Sequence, residues 1–270
     1  MIYRGGGKAD IRSPHRLETD HDVAVAPAHT SLNVIRGLLI LSAFGTAGLI
    51  YSFYNVHAID SSIAAVRNDW VNIQDLSDDD GLPPLPEITH QSFFDIEIDD
   101  EYIGRVVMGL FGKNTPKTVD NFYKLCTGEM GPKLHYSGMR FHRVVPGFIV
   151  QGGDIVNGDG TGAISIYGYE FADEKDGLAL KHDRKYLLQM ANSGPNTNGC
   201  QFCFMLNPAP HLNGHHMVFG RVLSGHNIID KMGLLGNDEE RPTKKIVVVE
   251  SGAVLPPDEK LKRINTIKKL

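Results

Sequence analysis

The sequence predicts a mostly β domain preceded by a single membrane-spanning helix, and three observations lead to that prediction. Beyond residue 88, short apolar runs alternate with glycine-containing turns, as in antiparallel barrels and sandwiches. Only two segments of that region have the apolar spacing of a helix. Before it, residues 37–59 contain no Asp, Glu, Lys or Arg. At about 1.5 Å per residue they reach roughly 34 Å, enough to cross a hydrocarbon core of about 30 Å.

The composition is that of an ordinary folded protein with few cysteines. The formal net charge is −5, which argues against a nucleic-acid partner because such proteins need a basic face. The three cysteines do not make a disulfide framework. Cys200 and Cys203 have CxxC spacing, but no second pair exists, and positions i and i+3 of a strand face opposite sides. We therefore expect buried, inert cysteines, no metal site and no cofactor.

Residues 1–36 form a polar N-terminal segment with two interpretations. Basic residues recur at every fourth position from Arg4 to Arg16, a pattern typical of organelle-targeting sequences. Three consecutive glycines and Pro14 oppose a stable helix there. A disordered tail is therefore an equal alternative.

The flanks of residues 37–59 predict how this segment would cross the membrane. Arg36 precedes it, whereas the far side is acidic and carries only Arg67 as a basic residue before the β domain. The positive-inside bias places the N-terminus in the cytosol or the mitochondrial matrix. The C-terminal domain would then lie in the secretory lumen or the intermembrane space. A cleaved signal peptide usually lies nearer the terminus, so we expect a single-pass membrane protein.

Residues 60–87 form a membrane-proximal segment with an apolar stripe. Its acidic, proline-rich part, residues 78–86, is typical of a linker. The apolar residues before that linker recur at steps of four and three, which puts them on one face of a helix. Such a stripe packs either on the chain's own domain or on a partner. Because of the linker we predict a partner surface in a membrane complex, made of Ile59, Ile63, Val66, Trp70 and Ile73.

The β domain is predicted over residues 88–256. Its first strand is indicated by apolar residues that alternate with acids from Phe94 to Asp99. A turn at residues 99–101 leads to a second strand over 102–111. The last strand is predicted over 246–249.

Two helices are predicted within that domain, and a basic tail follows it. Thr115 and Pro116 are expected to start the first helix, and Gly128 to end it. The second helix is expected over 227–232. In the tail, residues 257–270, apolar side chains share one helical face among lysines and an arginine. A solvated tail and docking on an acidic lipid or protein surface are equal alternatives.

Three stretches concentrate residues suited to binding an extended peptide. The first, FHRVVPGFIVQGGD, starts at Phe141 and places Arg143 beside apolar residues that favour strands. A charge in that position is costly unless it reaches water or a polar ligand. The others are MANSGPNTNGCQF from Met190 and HLNGHHMVFG from His211.

These stretches resemble the catalytic core of the cyclophilins, the cyclosporin-binding peptidyl-prolyl isomerases, over roughly residues 90–254. The resemblance implies an eight-stranded antiparallel β-barrel capped by two helices. It also implies isomerisation of X–Pro bonds in protein clients. With the predicted span at residues 37–59, this activity would assist folding or assembly at a membrane. The alternative is a non-catalytic accessory subunit of an organellar membrane complex. Arg143, Phe148 and Gln151 favour activity, because a purely structural role would not require them.

The resemblance also implies a role for each site residue. Arg143 would donate a hydrogen bond to the prolyl nitrogen, and Gln151 would bind the substrate backbone and orient Arg143. A socket for the proline ring would form from Phe148, Ile149 and Leu212, with His216 at its rim. The loop containing Gly160, Thr161 and Gly162 would border a second, shallower pocket for residues before proline. The remaining groove residues would be Ala191, Asn192 and Gln201.

Two positions depart from the family's usual residues. Cys203 stands where a phenylalanine is usual, so the socket loses an aromatic wall and we expect weaker proline binding and reduced activity. His211 stands where many cyclophilins have the tryptophan that contacts cyclosporin. We therefore expect weak cyclosporin binding.

Overall fold

The computed structural model of the protein describes residues 70–72 and 81–267. No helix within those ranges is both long and apolar enough to cross a membrane. The predicted membrane span at residues 37–59 and the polar segment at 1–36 lie outside the described residues.

Eight antiparallel strands form one curled sheet, in the spatial order β3-β4-β6-β5-β7-β2-β1-β8. The long strands β1, β2, β7 and β8 make one half of this order, and the short strands make the other. The strands are β1 (His90–Ile98), β2 (Glu101–Leu110), β3 (Arg143–Val145), β4 (Ile149–Gly152), β5 (Leu187–Met190), β6 (Phe202–Met205), β7 (Val218–Ser224) and β8 (Ile246–Val254).

The two edges of the sheet meet through the segment that precedes β3. Arg140 makes a single antiparallel bridge to Val247 of β8. The Phe141 N–H donates to the carbonyl of Ile246 at 3.1 Å. In the part of the chain that the structure describes, β3 and β8 share no ladder. Where an eight-stranded antiparallel β-barrel was predicted, the structure has an eight-stranded curled sheet whose two edges are bridged at this irregular segment.

Both predicted helices are present, and the first one is capped by a distant residue. Helix α1 (Pro116–Thr127) ends at Gly128, whose φ of 66° is left-handed, as expected for a C-terminal glycine. Thr115 occupies the N-cap position, but its hydroxyl donates to the carbonyl of Phe111. The carboxylate of Glu174 instead accepts two first-turn N–H groups at 2.9 Å each.

The other helices are short or terminal. The second predicted helix is α3 (His226–Gly233), and a one-turn helix that the sequence did not indicate, α2 (Lys175–Ala179), precedes it. The C-terminal tail contains α4 (Pro257–Ile267), and a 3₁₀ turn spans Pro210–Leu212. A single helical turn leaves too little periodicity to be recognised in a sequence.

Strand alternation sorts the apolar residues into one cluster on each face of the sheet. On β6, Phe202 and Phe204 belong to one cluster, and Cys203 and Met205 to the other. The first, which we name the inner cluster, is dominated by the rings of Phe94, Phe122, Tyr136, Phe141, Phe202, Phe204 and Phe219. The second, the outer cluster, contains Ile88, Phe93, Val107, Phe111, Ile149, Leu187, Cys203, Met205, Ala209, Val218, Leu223 and Val254.

Residues near the start of the described chain cover part of the outer cluster. Trp70, Val71 and Leu85 pack against it and are half-buried. The side-chain amide of Gln91 binds the backbone of Val71 twice, at 2.8 and 3.1 Å. Trp70 therefore packs on the chain's own domain and is not separated from it as the linker predicted. The other residues of the predicted partner stripe, Ile59, Ile63, Val66 and Ile73, lie outside the described residues.

Candidate functional site

One row of side chains crosses four strands on the outer face of the sheet. Arg143 on β3 lies directly opposite Gln151 on β4. Gln151 in turn lies opposite Cys203 on β6, and Cys203 opposite Gln189 on β5. Residues directly opposite in an antiparallel sheet point to the same face. Strand pairing thus brings together three predicted site residues from two separate motifs, and adds Gln189, which the sequence did not indicate.

The guanidinium of Arg143 is held by two side chains. Its Nη1 donates to Oε1 of Gln151 at 3.2 Å, the contact that was predicted to orient it. Its Nε and Nη2 both donate to Oε2 of Glu240, each at 2.7 Å. The Arg143 side chain remains 37% exposed, so it lies in the groove and not beneath it. Glu240 was not predicted.

Gln151 and Gln201 connect Arg143 to the glycine-rich loop after β4. Nε2 of Gln151 donates to Oε1 of Gln201 at 2.9 Å. Nε2 of Gln201 donates to the carbonyls of Gly160 and Gly162, both at 2.8 Å. Gly160 and Gly162 border a small cavity of about 90 Å³ that Ala191 and Asn192 also line. This cavity is where the second, shallower pocket was predicted.

Asp154 fixes the shape of that loop. Its carboxylate accepts backbone N–H groups from residues 156, 157, 159, 160 and 162. Burial alone would raise the pKa of Asp154, but these hydrogen bonds outweigh it and hold the pKa below its ordinary value. The loop therefore presents its carbonyls to Gln201 from a rigid backbone.

The predicted socket residues gather in and against the outer cluster. Ile149 and Cys203 belong to it, and Phe148 and Leu212 pack against it with part of their surface exposed. The ring of His211 lies 5.4 Å from that of Phe148 at an interplanar angle of 36°. Burial raises the pKa of the Cys203 thiol to about 12, so this residue is a small neutral wall. The arrangement is an apolar surface beside the Arg143 guanidinium.

His216 and Asn192 hold the rim between β5 and β7. Nδ1 of His216 hydrogen-bonds the carbonyl of Met190 at 3.0 Å. Burial lowers the pKa of His216, which keeps the ring neutral. Nδ2 of Asn192 donates to the carbonyl of His215 at 2.9 Å. These contacts keep the two walls of the groove at a fixed separation.

A buried polar residue lies beneath the socket. Gln189 faces Cys203 and is 2% exposed. Next to it lies His182, whose pKa is lowered by burial, with Asn213 and Gln189 opposing that effect only in part. The sequence of β5, LLQM, could have indicated Gln189. This residue is the one polar position of an otherwise apolar strand, and it lies on the same face as Leu187. Residues 70–72 and 81–267 contain no group of three His, Cys, Asp or Glu placed to hold a metal ion.

Comparison with known proteins identifies the family. The description "Cyclophilin type peptidyl-prolyl cis-trans isomerase/CLD" matches residues 93–253, more than half of the chain. A curled eight-stranded sheet with an arginine beside an apolar socket fits that assignment. The chain therefore belongs to the cyclophilin family, as its motifs indicated.

Curated relatives agree with this assignment. Peptidyl-prolyl cis-trans isomerase 9 of Caenorhabditis elegans is 46% identical over 177 residues, which cover 63% of this chain and 57% of the relative. Peptidyl-prolyl cis-trans isomerase cyp11 of Rhizopus delemar is 44% identical over 190 residues, which cover 67% and 56%. Peptidyl-prolyl cis-trans isomerase D of Saccharomyces cerevisiae is 46% identical over 178 residues, which cover 65% and 78%. The chain thus spans a little over half the length of two of these relatives.

Proposed function

We propose that this protein catalyses the cis–trans isomerisation of X–Pro bonds in polypeptide clients. The observation that carries the proposal is the position of Arg143, a permanently charged donor fixed by Gln151 at the edge of an apolar socket. Membership of the family supports it.

The chemistry needs no nucleophile and no proton transfer. Resonance gives the amide partial double-bond character, with a rotational barrier of about 18–20 kcal/mol. A hydrogen bond from Arg143 to the prolyl nitrogen would localise its lone pair and weaken that resonance. The socket of Phe148, Ile149 and Leu212 would hold the ring while the preceding carbonyl rotates. Binding the twisted amide better than either planar isomer lowers the barrier.

The test compares the full chain with its Arg143→Ala and Arg143→Lys variants, all purified in mild detergent. The substrate is an Ala-Pro-Phe peptide. We expect kcat/KM to fall by about 10²- to 10³-fold in Arg143→Ala, as when a donor to a developing charge is removed. Arg143→Lys keeps the charge but lacks the planar fork, so it should recover only part of the activity. Equal turnover by all three proteins would refute the role of Arg143.

A non-catalytic accessory role is the second candidate, and Cys203 favours it because a small side chain replaces an aromatic wall of the socket. That role predicts a folded wild-type protein without turnover whose groove still binds proline peptides. Peptide titration followed by NMR distinguishes this result from misfolding.

We further propose that residues 37–59 anchor the protein, with the C-terminal domain in the secretory lumen or the intermembrane space. The absence of charge in that segment and the acidic flank after it support the proposal. The domain should be protected from protease in sealed organelles and digested once they are opened. Digestion in sealed organelles would contradict this orientation.

Weak cyclosporin binding is proposed from His211. Its ring contacts Phe148 at the socket edge but offers less apolar area than a tryptophan. His211→Trp should lower the cyclosporin Kd by at least about tenfold in a direct titration. A nanomolar Kd of the unchanged protein would contradict the proposal.

A further inference from the structure

The loop between α3 and β8 brings a carboxylate to Arg143. Oδ1 of Asn237 accepts the N–H groups of Glu239 at 3.1 Å and Arg241 at 2.8 Å. The Glu240 N–H donates to the carbonyl of Asn237, and the Asn237 N–H to that of Arg241. Four hydrogen bonds within five residues make this loop rigid, so the position of the Glu240 carboxylate is built into it.

Glu240 occupies a backbone position that favours glycine. Its φ is 60°, in the left-handed region, where a side chain is strained. Its carbonyl accepts the N–H of Val144 at 2.8 Å, which fastens the loop to β3 beside Arg143. That backbone contact does not need a side chain, and glycine would make it without strain. What glycine would lack here is the carboxylate that binds Arg143.

The donors of Arg143 can be counted. A guanidinium has five N–H bonds, of which two go to Glu240 and one to Gln151. Within residues 70–72 and 81–267 no further acceptor is recorded for Arg143, so one N–H on Nη1 and one on Nη2 remain for a ligand. A prolyl nitrogen or a neutral carbonyl would not displace the carboxylate, because hydrogen bonds between charged groups are the stronger ones. Glu240 thus stays bound to Arg143 while a peptide occupies the groove.

The pair also changes the local charge of the groove. A cavity of about 650 Å³ opens beside Arg143, and Glu240 and Glu239 line it together with basic residues. The smaller cavity at Ala191 and Asn192 was assigned to the substrate residues before proline. The larger cavity beside Arg143 would therefore bind the substrate residues after proline. An acidic side chain there would meet the Arg143–Glu240 pair instead of a free guanidinium, so Glu240 makes the cavity less favourable for it than the basic lining residues alone would.

We propose that Glu240 is a positioning residue for Arg143 and that it disfavours acidic residues immediately after proline. The proposal rests on the isomerase function proposed above. Held on two edges by Glu240 and Gln151, the guanidinium keeps its two remaining N–H groups aimed at one place. Small errors in the placement of a catalytic donor lower the rate, so the contact of Glu240 with Arg143 contributes to turnover and not only to folding.

The test uses full-length Glu240→Gly and Glu240→Gln, with Glu239→Gln as the matched control. Two peptides that differ only in Lys or Glu after proline serve as substrates. Glu240→Gly should be at least as stable as the wild type, because it relieves the left-handed φ. Its kcat should nevertheless fall by about 3- to 30-fold on both peptides. Its KM for the Glu peptide should fall relative to the Lys peptide, and added salt should remove that difference.

The two other variants separate charge from position. Glu240→Gln keeps an acceptor oxygen, so it should recover part of kcat while showing the same change in charge preference. Glu239→Gln removes an equal charge from the same cavity without touching Arg143. It should share the change in charge preference, and its loss of kcat should be smaller than that of Glu240→Gly. An unchanged or higher kcat in Glu240→Gly, or an equal loss in Glu239→Gln, would overturn the proposal.

Failure of the isomerase function itself gives a different result. If the folded wild-type protein has no turnover, exchange of the Arg143 Nε–H with water, followed by NMR, decides the positioning role. Slow exchange that becomes at least about tenfold faster in Glu240→Gly and not in Glu239→Gln supports it. Equal exchange in all three proteins overturns it.

Discussion

The two faces of the curled sheet share the same strands but differ in how they are filled. The inner face is packed with aromatic rings. The ring centroid of Phe202, for example, lies within 6.1 Å of those of five other aromatic residues. The outer face is apolar only in part. It carries Arg143, Gln151 and Gln189 in one row, and its surface is open at the socket.

The difference shows how stability and function are divided within single strands. On β6 the residues Phe202 and Phe204 serve the core, whereas Cys203 between them faces the groove. Because side chains alternate, substitutions one position apart should affect different properties. The predictions that follow test this division, beginning with the largest effect.

Phe204→Ala should destabilise the protein strongly while leaving the groove intact. Its ring is fully buried and packs against Phe94, Phe141 and Phe202. Removing a buried ring costs about 3–5 kcal/mol, part of it for the cavity left behind. Chemical denaturation measures the loss, and kcat/KM per folded molecule should change less than about threefold.

The matched control on the other face is Cys203→Ala. It removes one sulfur atom beside the socket, and the free energy of unfolding should fall by about 1 kcal/mol. A loss as large as that of Phe204→Ala would show that the two faces are not separate.

Cys203→Phe should reveal that Gln189 fills the space beneath the socket. The two residues face each other across β5 and β6 and are both 2% exposed. Because both side chains are buried, we expect a phenylalanine to displace Gln189, so the single change should destabilise by about 1–3 kcal/mol. Gln189→Ala in the same chain should restore at least half of that loss. Additive effects in the double-mutant cycle would contradict the contact.

Local patterns predicted a good part of the fold and of the site. Alternation of apolar and acidic residues from Phe94 onward predicted β1, and Gly128 predicted the end of α1. Both features depend only on residues that are neighbours in sequence. The motif around Arg143, through its resemblance to a family, predicted residues that the structure brings together at the groove. The missed residues act over long separations. Glu174 caps α1 from 56 positions away, and Glu240 binds Arg143 from 97 positions away. Only the folded backbone brings such pairs together.

Mild acid should destabilise the protein through histidines at the groove. Burial lowers the pKa values of His142, His182 and His216, which all lie at or beneath the groove. A lowered folded pKa means that the unfolded chain binds protons more readily. The stability that depends on these neutral histidines is therefore fully present above their unfolded pKa of about 6.5, and it is lost as the pH falls below that value. Thermal unfolding between pH 7.5 and 5 should show a falling Tm.

His182→Gln provides the check on that interpretation. It removes the most deeply buried imidazole of the three, so the decrease in Tm across the same pH range should become smaller. The lowered pKa of Asp154 confines the contribution of that carboxylate to more acidic solutions. An identical pH dependence in the variant would assign the acid sensitivity to other groups.

The smallest effect is expected where the outer cluster is covered by the chain itself. Gln91→Ala removes both hydrogen bonds to Val71, which should destabilise by about 1 kcal/mol. Trp70 is the single tryptophan and packs beside this contact, so its fluorescence should shift to longer wavelength as it becomes hydrated. Glu87→Gln breaks only the exposed ion pair with Lys113 and should leave the emission unchanged. Emission at long wavelength in the wild type would mean that Trp70 is not packed on the domain in solution. Trp70 would then again belong to the predicted partner surface, and the outer face would be exposed both at the socket and at the place where Trp70 covers it.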